Sequence, residues 1–200
     1  MDYTQNSAAD ALNRLVDSER ETGFVPAILV NILLASLLVP AGSTETIPSI
    51  RARWRIANEV ELRKLIPARA PVVKENIETE FRTASGVTDG RGKFIAGVVM
   101  ITAGYSAEGK YSHFFITQTQ LKIGNVTLPS GEYVFGYQRV NNDAIRVSFY
   151  RASSGESIGS VEARVNRKSS MVRSLLISPP VDGRATIQVG RFLFEYKLSD

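Results

Sequence analysis

The chain has 200 residues, 44% of them hydrophobic, which is enough for one globular domain with a sizeable core. It contains no cysteine and one histidine, His113, so disulfides, cysteine nucleophiles and zinc sites built from cysteine or several histidines are excluded. The net charge is +4, and no run of Lys or Arg exceeds two residues. We therefore interpret the basic residues as a solvated surface and expect no nucleic-acid partner.

The first predicted element is an uncharged apolar segment, residues 24–42 (FVPAILVNILLASLLVPAG). Its length suits a signal peptide with cleavage after Ala41. A retained membrane anchor, with membrane contact through this segment, is the second interpretation, and a buried helix is the third. The acidic stretch before it and the arginines after it fit a simple signal peptide poorly. We favour the cleaved signal, which predicts a periplasmic or secreted protein.

The remaining sequence indicates three parts: residues 1–41 are a tail with the signal peptide or anchor, 42–72 a linker with a short basic helix, and 73–200 an antiparallel β domain. Asn58 can cap a helix over residues 59–66, and Pro67 ends it. Trp54 is expected to pack on the core of the domain.

Short apolar runs separated by turn residues follow, recurring every ~8–14 residues from residue 81 onward. They predict strands near residues 94–102, 111–123, 145–149, 158–165, 172–178, 185–189 and 192–198. Residues 75–80, which carry three glutamates, fit either a solvated helix or an edge strand. The fold class is therefore mainly β: an antiparallel Greek-key β-sandwich, or a small barrel, preceded by an N-terminal apolar helix and a short basic helix.

One structural motif stands out, Leu128-Pro-Ser-Gly-Glu-Tyr133. Pro129 and Gly131 turn the chain, and the Tyr133 hydroxyl is expected to bond a backbone group upstream, as in the tyrosine corner of Greek-key sandwiches. An ordinary turn followed by a strand is the alternative. The motif concerns folding and identifies no ligand.

The sequence shows two resemblances to known groups of proteins, one for the segment around this motif and one for most of the β domain. Residues 128–137 (LPSGEYVFGY) resemble the strand starts of transthyretin-like and carboxypeptidase-regulatory-like exported modules. More broadly, residues 82–198 resemble uncharacterised exported β-sandwich proteins of acidobacterial type. The resemblance implies a small extracytoplasmic β domain, and it brings no activity, cofactor or catalytic residue with it.

The candidate catalytic residues are few. Residues 86–93 are glycine-rich but lack the spacing of a phosphate-binding P-loop, and we interpret them as a hairpin loop. A serine-based triad is possible only if it uses His113, and its candidate partners are Ser106 and an acid such as Asp89, provided that they converge. The spacing of the glycines around Ser106 does not match a nucleophile elbow. No cofactor motif and no metal motif is present.

Three hypotheses follow. We favour a non-enzymatic exported or envelope-associated module that binds an unknown ligand or envelope component. A hydrolase-like enzyme with its site near residues 86–92 and 104–113 is the first alternative. A structural β module that assembles through an edge strand is the second. The oligomeric state is left open.

Overall fold

The computed structural model describes residues 53–102, 110–168 and 170–199, which belong to one compact unit beginning at Pro48. The apolar segment 24–42 and Ser106 lie outside the described residues. Within these ranges, no helix has the length and apolar character needed to cross a bilayer.

The described part of the chain is mainly β with one helix, which confirms the predicted class. Its elements in chain order are β1 (Arg55–Ile56), α1 (Glu59–Leu65), β2 (Arg69–Val72), β3 (Glu75–Thr88), β4 (Phe94–Met100), β5 (His113–Thr117), β6 (Leu121–Ile123), β7 (Val126–Leu128), β8 (Gly131–Arg139), β9 (Ala144–Arg151), β10 (Ser157–Val165), β11 (Arg173–Ile177), β12 (Arg184–Gly190) and β13 (Phe192–Leu198).

All strand pairs are antiparallel, and the main sheet has the order β1-β3-β4-β5-β8-β9-β10-β13-β12-β11. The sheet curls into a half-barrel, so that its last strand, β11, lies against β3 and β4 near the start. The Ile177 N–H donates a hydrogen bond to the Ser85 hydroxyl oxygen across this seam, at 2.9 Å. Gly97 of β4 permits the close approach, because a Cβ there would lie 2.9 Å from a methyl carbon of Leu175.

The central strands β4, β5 and β8 are buried on both faces, and their alternation separates two cores. The larger core fills the inside of the curl and includes Phe115, Phe135 and Phe149. The smaller core lies on the outside, where α1 and β2 cover Phe114 and Val134. The burial of both faces explains why these strands read as nearly continuous apolar runs.

The predicted helix is present as α1, and Asn58 caps it. The Asn58 side chain accepts from the Glu61 N–H at 2.9 Å, and the Glu61 carboxylate accepts from the Asn58 N–H at 2.8 Å. The Arg55 guanidinium donates a hydrogen bond to the same carboxylate at 2.6 Å. This hydrogen bond is the main reason that the pKa of Glu61 is lowered to about 2. The described residues 53–72 pack into the domain through α1 and β2, and Trp54 packs against the larger core.

The structure divides one predicted strand and decides between the two alternatives for another segment. The long strand expected over residues 111–123 is divided into β5 and β6 by a turn, in which the Gln118 N–H donates to the Phe94 carbonyl oxygen at 2.8 Å. Residues 75–80 form the first part of the 14-residue strand β3, which is the strand alternative for that segment.

Candidate functional site

The turn before β8 has the geometry of a tyrosine corner. The Tyr133 hydroxyl donates to the carbonyl oxygen of Pro129 at 2.7 Å, which is the backward contact expected from the motif. The Tyr133 ring is buried, and burial raises the pKa of its hydroxyl, with the charge of Arg151 opposing the shift. A Cβ at Gly131 would lie 3.5 Å from the Tyr133 oxygen, an ordinary van der Waals contact, so the ring does not require a glycine at this position. The motif fixes the turn between β7 and β8.

His113 lies inside the curl with 3% of its surface exposed. Its ring stacks on Phe135, with the centroids 4.5 Å apart and the planes 7° from parallel. Nδ1 lies 2.8 Å from the Ser112 Oγ, and Nε2 lies 3.4 Å from the Ser174 carbonyl oxygen. A carbonyl can only accept, so this arrangement fits a neutral ring that donates from Nε2 and accepts from Ser112. Burial lowers the pKa of His113 to about 4, while the Ser174 carbonyl opposes the shift.

Asp89 lies in the turn between β3 and β4, where its Oδ1 accepts from the backbone N–H groups of Arg91 and Lys93 at 2.8 and 3.0 Å. The turn adjoins Phe94, whereas His113 pairs with Val99 at the other end of β4. Five residues of strand correspond to roughly 16 Å. The structure therefore does not bring Asp89 and His113 together.

The serine whose hydroxyl contacts His113 is Ser112, which the sequence analysis missed. Its hydroxyl also lies 3.2 Å from the carbonyl oxygen of Phe135. The only sequence signal was its position directly before the single histidine. Among the described residues, no cluster of three or more Asp, Glu or His side chains could hold a metal ion.

An open groove interrupts the sheet between β10 and β13. These strands pair only at Arg164 with Leu193 and at Val165 with Phe192. Beyond this point β13 pairs instead with β6, through Leu198 with Leu121 and the neighbouring residue pair. The two strands therefore diverge beyond these two residue pairs, and we call the space between them the β10–β13 groove.

The β6–β7 hairpin keeps β10 and β13 apart. The hairpin turns at Gly124, whose φ of +57° suits glycine, and its tip lies against Val161 of β10. Val126 packs directly on the backbone of Gly159, since a Cβ at that position would lie 2.8 Å from a Val126 methyl carbon. A bulge occurs at the same point of β10, between Ser157 and Gly159.

The groove has a volume of about 510 Å³ and a mixed lining. Its charged residues are Lys122, Glu162, Arg164, Glu195 and Lys197. Its apolar lining residues are Leu193, which is half-buried, and the buried side chains of Ile123, Val161 and Phe194. Two further hollows in the described region, of about 430 and 380 Å³, lie at the seam between β3 and β11 and on the outer side of β8 and β9.

A comparison with protein-family models gave no match, and comparisons with curated proteins and with solved structures gave no significant match either.

Proposed function

We propose that this protein is a non-enzymatic binding module, exported or associated with the cell envelope, that holds its ligand in the β10–β13 groove. The observation that carries the proposal is the interrupted ladder between β10 and β13. The groove volume of about 510 Å³ falls within the range of small-molecule sites. Its apolar surface and several charged groups suit a ligand that is both packed and oriented by polar contacts.

The groove can be tested by filling it. Ser160 is exposed on β10 and lines the groove, whereas Ser157 is exposed on the same strand outside it. We would screen the full chain by NMR against sugars, their phosphates and soluble cell-wall fragments. A groove ligand should shift the amide signals of Val161 and Phe194. Ser160→Trp should weaken its binding by about tenfold or more, and Ser157→Trp should leave it within about twofold. Equal binding by both variants would refute the groove as the ligand site.

Export is supported by the apolar segment 24–42 and is tested separately. Mass spectrometry of the natively expressed protein should find a mature chain that begins at Gly42, in the periplasm or the medium. An intact Met1 in the membrane fraction would indicate a retained anchor. An intact Met1 in the cytosol would contradict export.

We also propose that the last four strands form a Greek-key unit. In support, β11, β12 and β13 follow one another as neighbours, and β13 returns to lie beside β10. Circular dichroism at low denaturant of a chain with β11–β13 deleted should show loss of the whole fold. A retained native spectrum would speak against this unit.

A hydrolase-like enzyme is the second candidate, favoured by the 2.8 Å contact between the Ser112 hydroxyl and His113. Against it, the imidazole faces a backbone carbonyl where a triad would have a carboxylate. If this candidate is right, a fluorophosphonate probe labels wild-type protein at Ser112, and the label vanishes in Ser112→Ala. The absence of label on the wild type would eliminate this candidate.

A further inference from the structure

Three cationic side chains stand in one row across the outer face of the sheet. Lys122 of β6 is directly opposite Lys197 of β13, and Lys197 is directly opposite Arg184 of β12. Directly opposite residues of an antiparallel pair project from the same face, with their Cβ atoms about 5 Å apart. All three side chains are exposed. We call these three residues the cationic row.

The cationic row differs from other basic positions of this sheet. Arg69 is directly opposite Glu78, and Arg146 is directly opposite Glu162, so each of these arginines faces an acid. Within the described part of the chain, no member of the row forms an ion pair or a side-chain hydrogen bond. Like charges directly opposite one another repel and destabilise a β-ladder. An anion held between the three side chains would offset this repulsion.

The local charge indicates how many negative charges the anion carries. Within strands β6, β12 and β13 the one acid is Glu195, two residues before Lys197 on the same face of β13 and directly opposite Thr186. Three cations and one carboxylate leave two positive charges uncompensated. A phosphate monoester matches this excess, because it carries close to two negative charges at neutral pH, whereas a carboxylate carries one.

The row also continues into the β10–β13 groove, since Lys122 and Lys197 belong to both. The half-buried Leu193 supplies apolar surface on the same strand as Lys197. We propose that the groove binds a soluble organic phosphate monoester, with its phosphate on the cationic row and its uncharged part in the groove. Lysine is a common phosphate ligand as a point charge, and Arg184 adds a planar fork of donors. This inference rests on the proposed function and names its ligand class.

The test compares charged and uncharged probes on the full chain at constant ionic strength. Glucose 6-phosphate, glucose and inorganic phosphate are titrated by NMR against the wild type, Lys122→Gln and Lys197→Gln. Arg69→Gln is the matched control, because it removes one exposed strand cation that faces an acid. Glucose 6-phosphate should bind at least about tenfold more tightly than glucose. Each lysine variant should lose about five- to tenfold in affinity, and the control should stay within about twofold.

Two results would overturn the inference. One is equal affinity for glucose 6-phosphate in Lys197→Gln and in the wild type. The other is binding only to phosphatidylcholine vesicles that contain phosphatidic acid, which would replace the soluble source by a lipid headgroup. If glucose and glucose 6-phosphate bind in the groove with equal affinity, and neither lysine variant weakens the binding of glucose 6-phosphate, the proposed function stands and the phosphate assignment fails. If Ser160→Trp has no effect on any ligand, the groove itself fails.

Discussion

The burial of His113 predicts a specific pH dependence of stability. The pKa of this histidine falls from 6.5 to about 4 on folding. The folded state therefore binds the proton less readily than the unfolded state, and the free energy of unfolding decreases as the pH falls through 6.5 and levels off below 4. A difference of 2.5 pKa units corresponds to a total loss of about 3 kcal/mol, of which about 2 kcal/mol has developed at pH 5.

The chain suits this measurement because His113 is its only histidine. Between pH 6.5 and 5 most carboxylates remain ionised, so His113 dominates the slope in that interval. We would measure urea unfolding of the wild type and of His113→Gln at half-unit steps from pH 7.5 to 4.5. Glutamine is neutral throughout and retains a donor for the Ser174 carbonyl.

The expected result is a variant curve that is nearly flat between pH 6.5 and 5, while the wild-type curve falls. At pH 7 the variant should be the less stable of the two by about 1–3 kcal/mol, because it loses the stacking on Phe135 and the bond to Ser112. Parallel curves for the two proteins would refute the assignment of a buried, neutral imidazole at this position.

Three further substitutions test other parts of the structure. Tyr133→Phe leaves the Pro129 carbonyl without its donor and should lower the free energy of unfolding by about 1–2 kcal/mol in urea titrations, so an unchanged midpoint would argue against the tyrosine corner. Gly97→Ala places a methyl group 2.9 Å from a side-chain carbon of β11, and it should cost about 1–3 kcal/mol by the same assay unless the seam is loose. Lys122→Glu turns a like-charged pair with Lys197 into an opposite-charged one; without ligand it should stabilise the protein by about 0.2–1 kcal/mol at low salt, and the gain should shrink as salt is added, whereas destabilisation would contradict the register of β6 on β13.

Local sequence signals predicted the features that depend on neighbouring residues. The helix α1 follows from Asn58 and Glu61, three residues apart, whose side chains and backbones satisfy one another. The turn before β8 follows in the same way from the spacing of Pro129 and Tyr133. Strands β9, β12 and β13 could be predicted because apolar alternation and turn residues are signals that lie within a few neighbouring positions.

The closure of the sheet could not be predicted in the same way. His113 was recognised as a candidate, but its contacts with Phe135 and Ser174 join strands that are remote in sequence. The division of the segment 111–123 was missed, because both halves have apolar residues and the turn between them depends on a backbone bond to Phe94. Contacts of this kind depend on which strands become neighbours, and alternation alone does not specify that.

The cationic row shows the same limit with a functional consequence. Its members are 62 and 13 residues apart in sequence, at positions 122, 184 and 197. A search for runs of Lys and Arg finds nothing there, which is why the basic residues were interpreted as a solvated surface. Alternation along each strand places all three side chains outside the core, but only the register of β6 and β12 on β13 aligns them. A slip of one residue in either pairing would turn the partner of Lys197 into a core residue. The charge pattern is therefore a property of the strand pairing, and the same pairing that draws β6 onto β13 also opens the groove beside it.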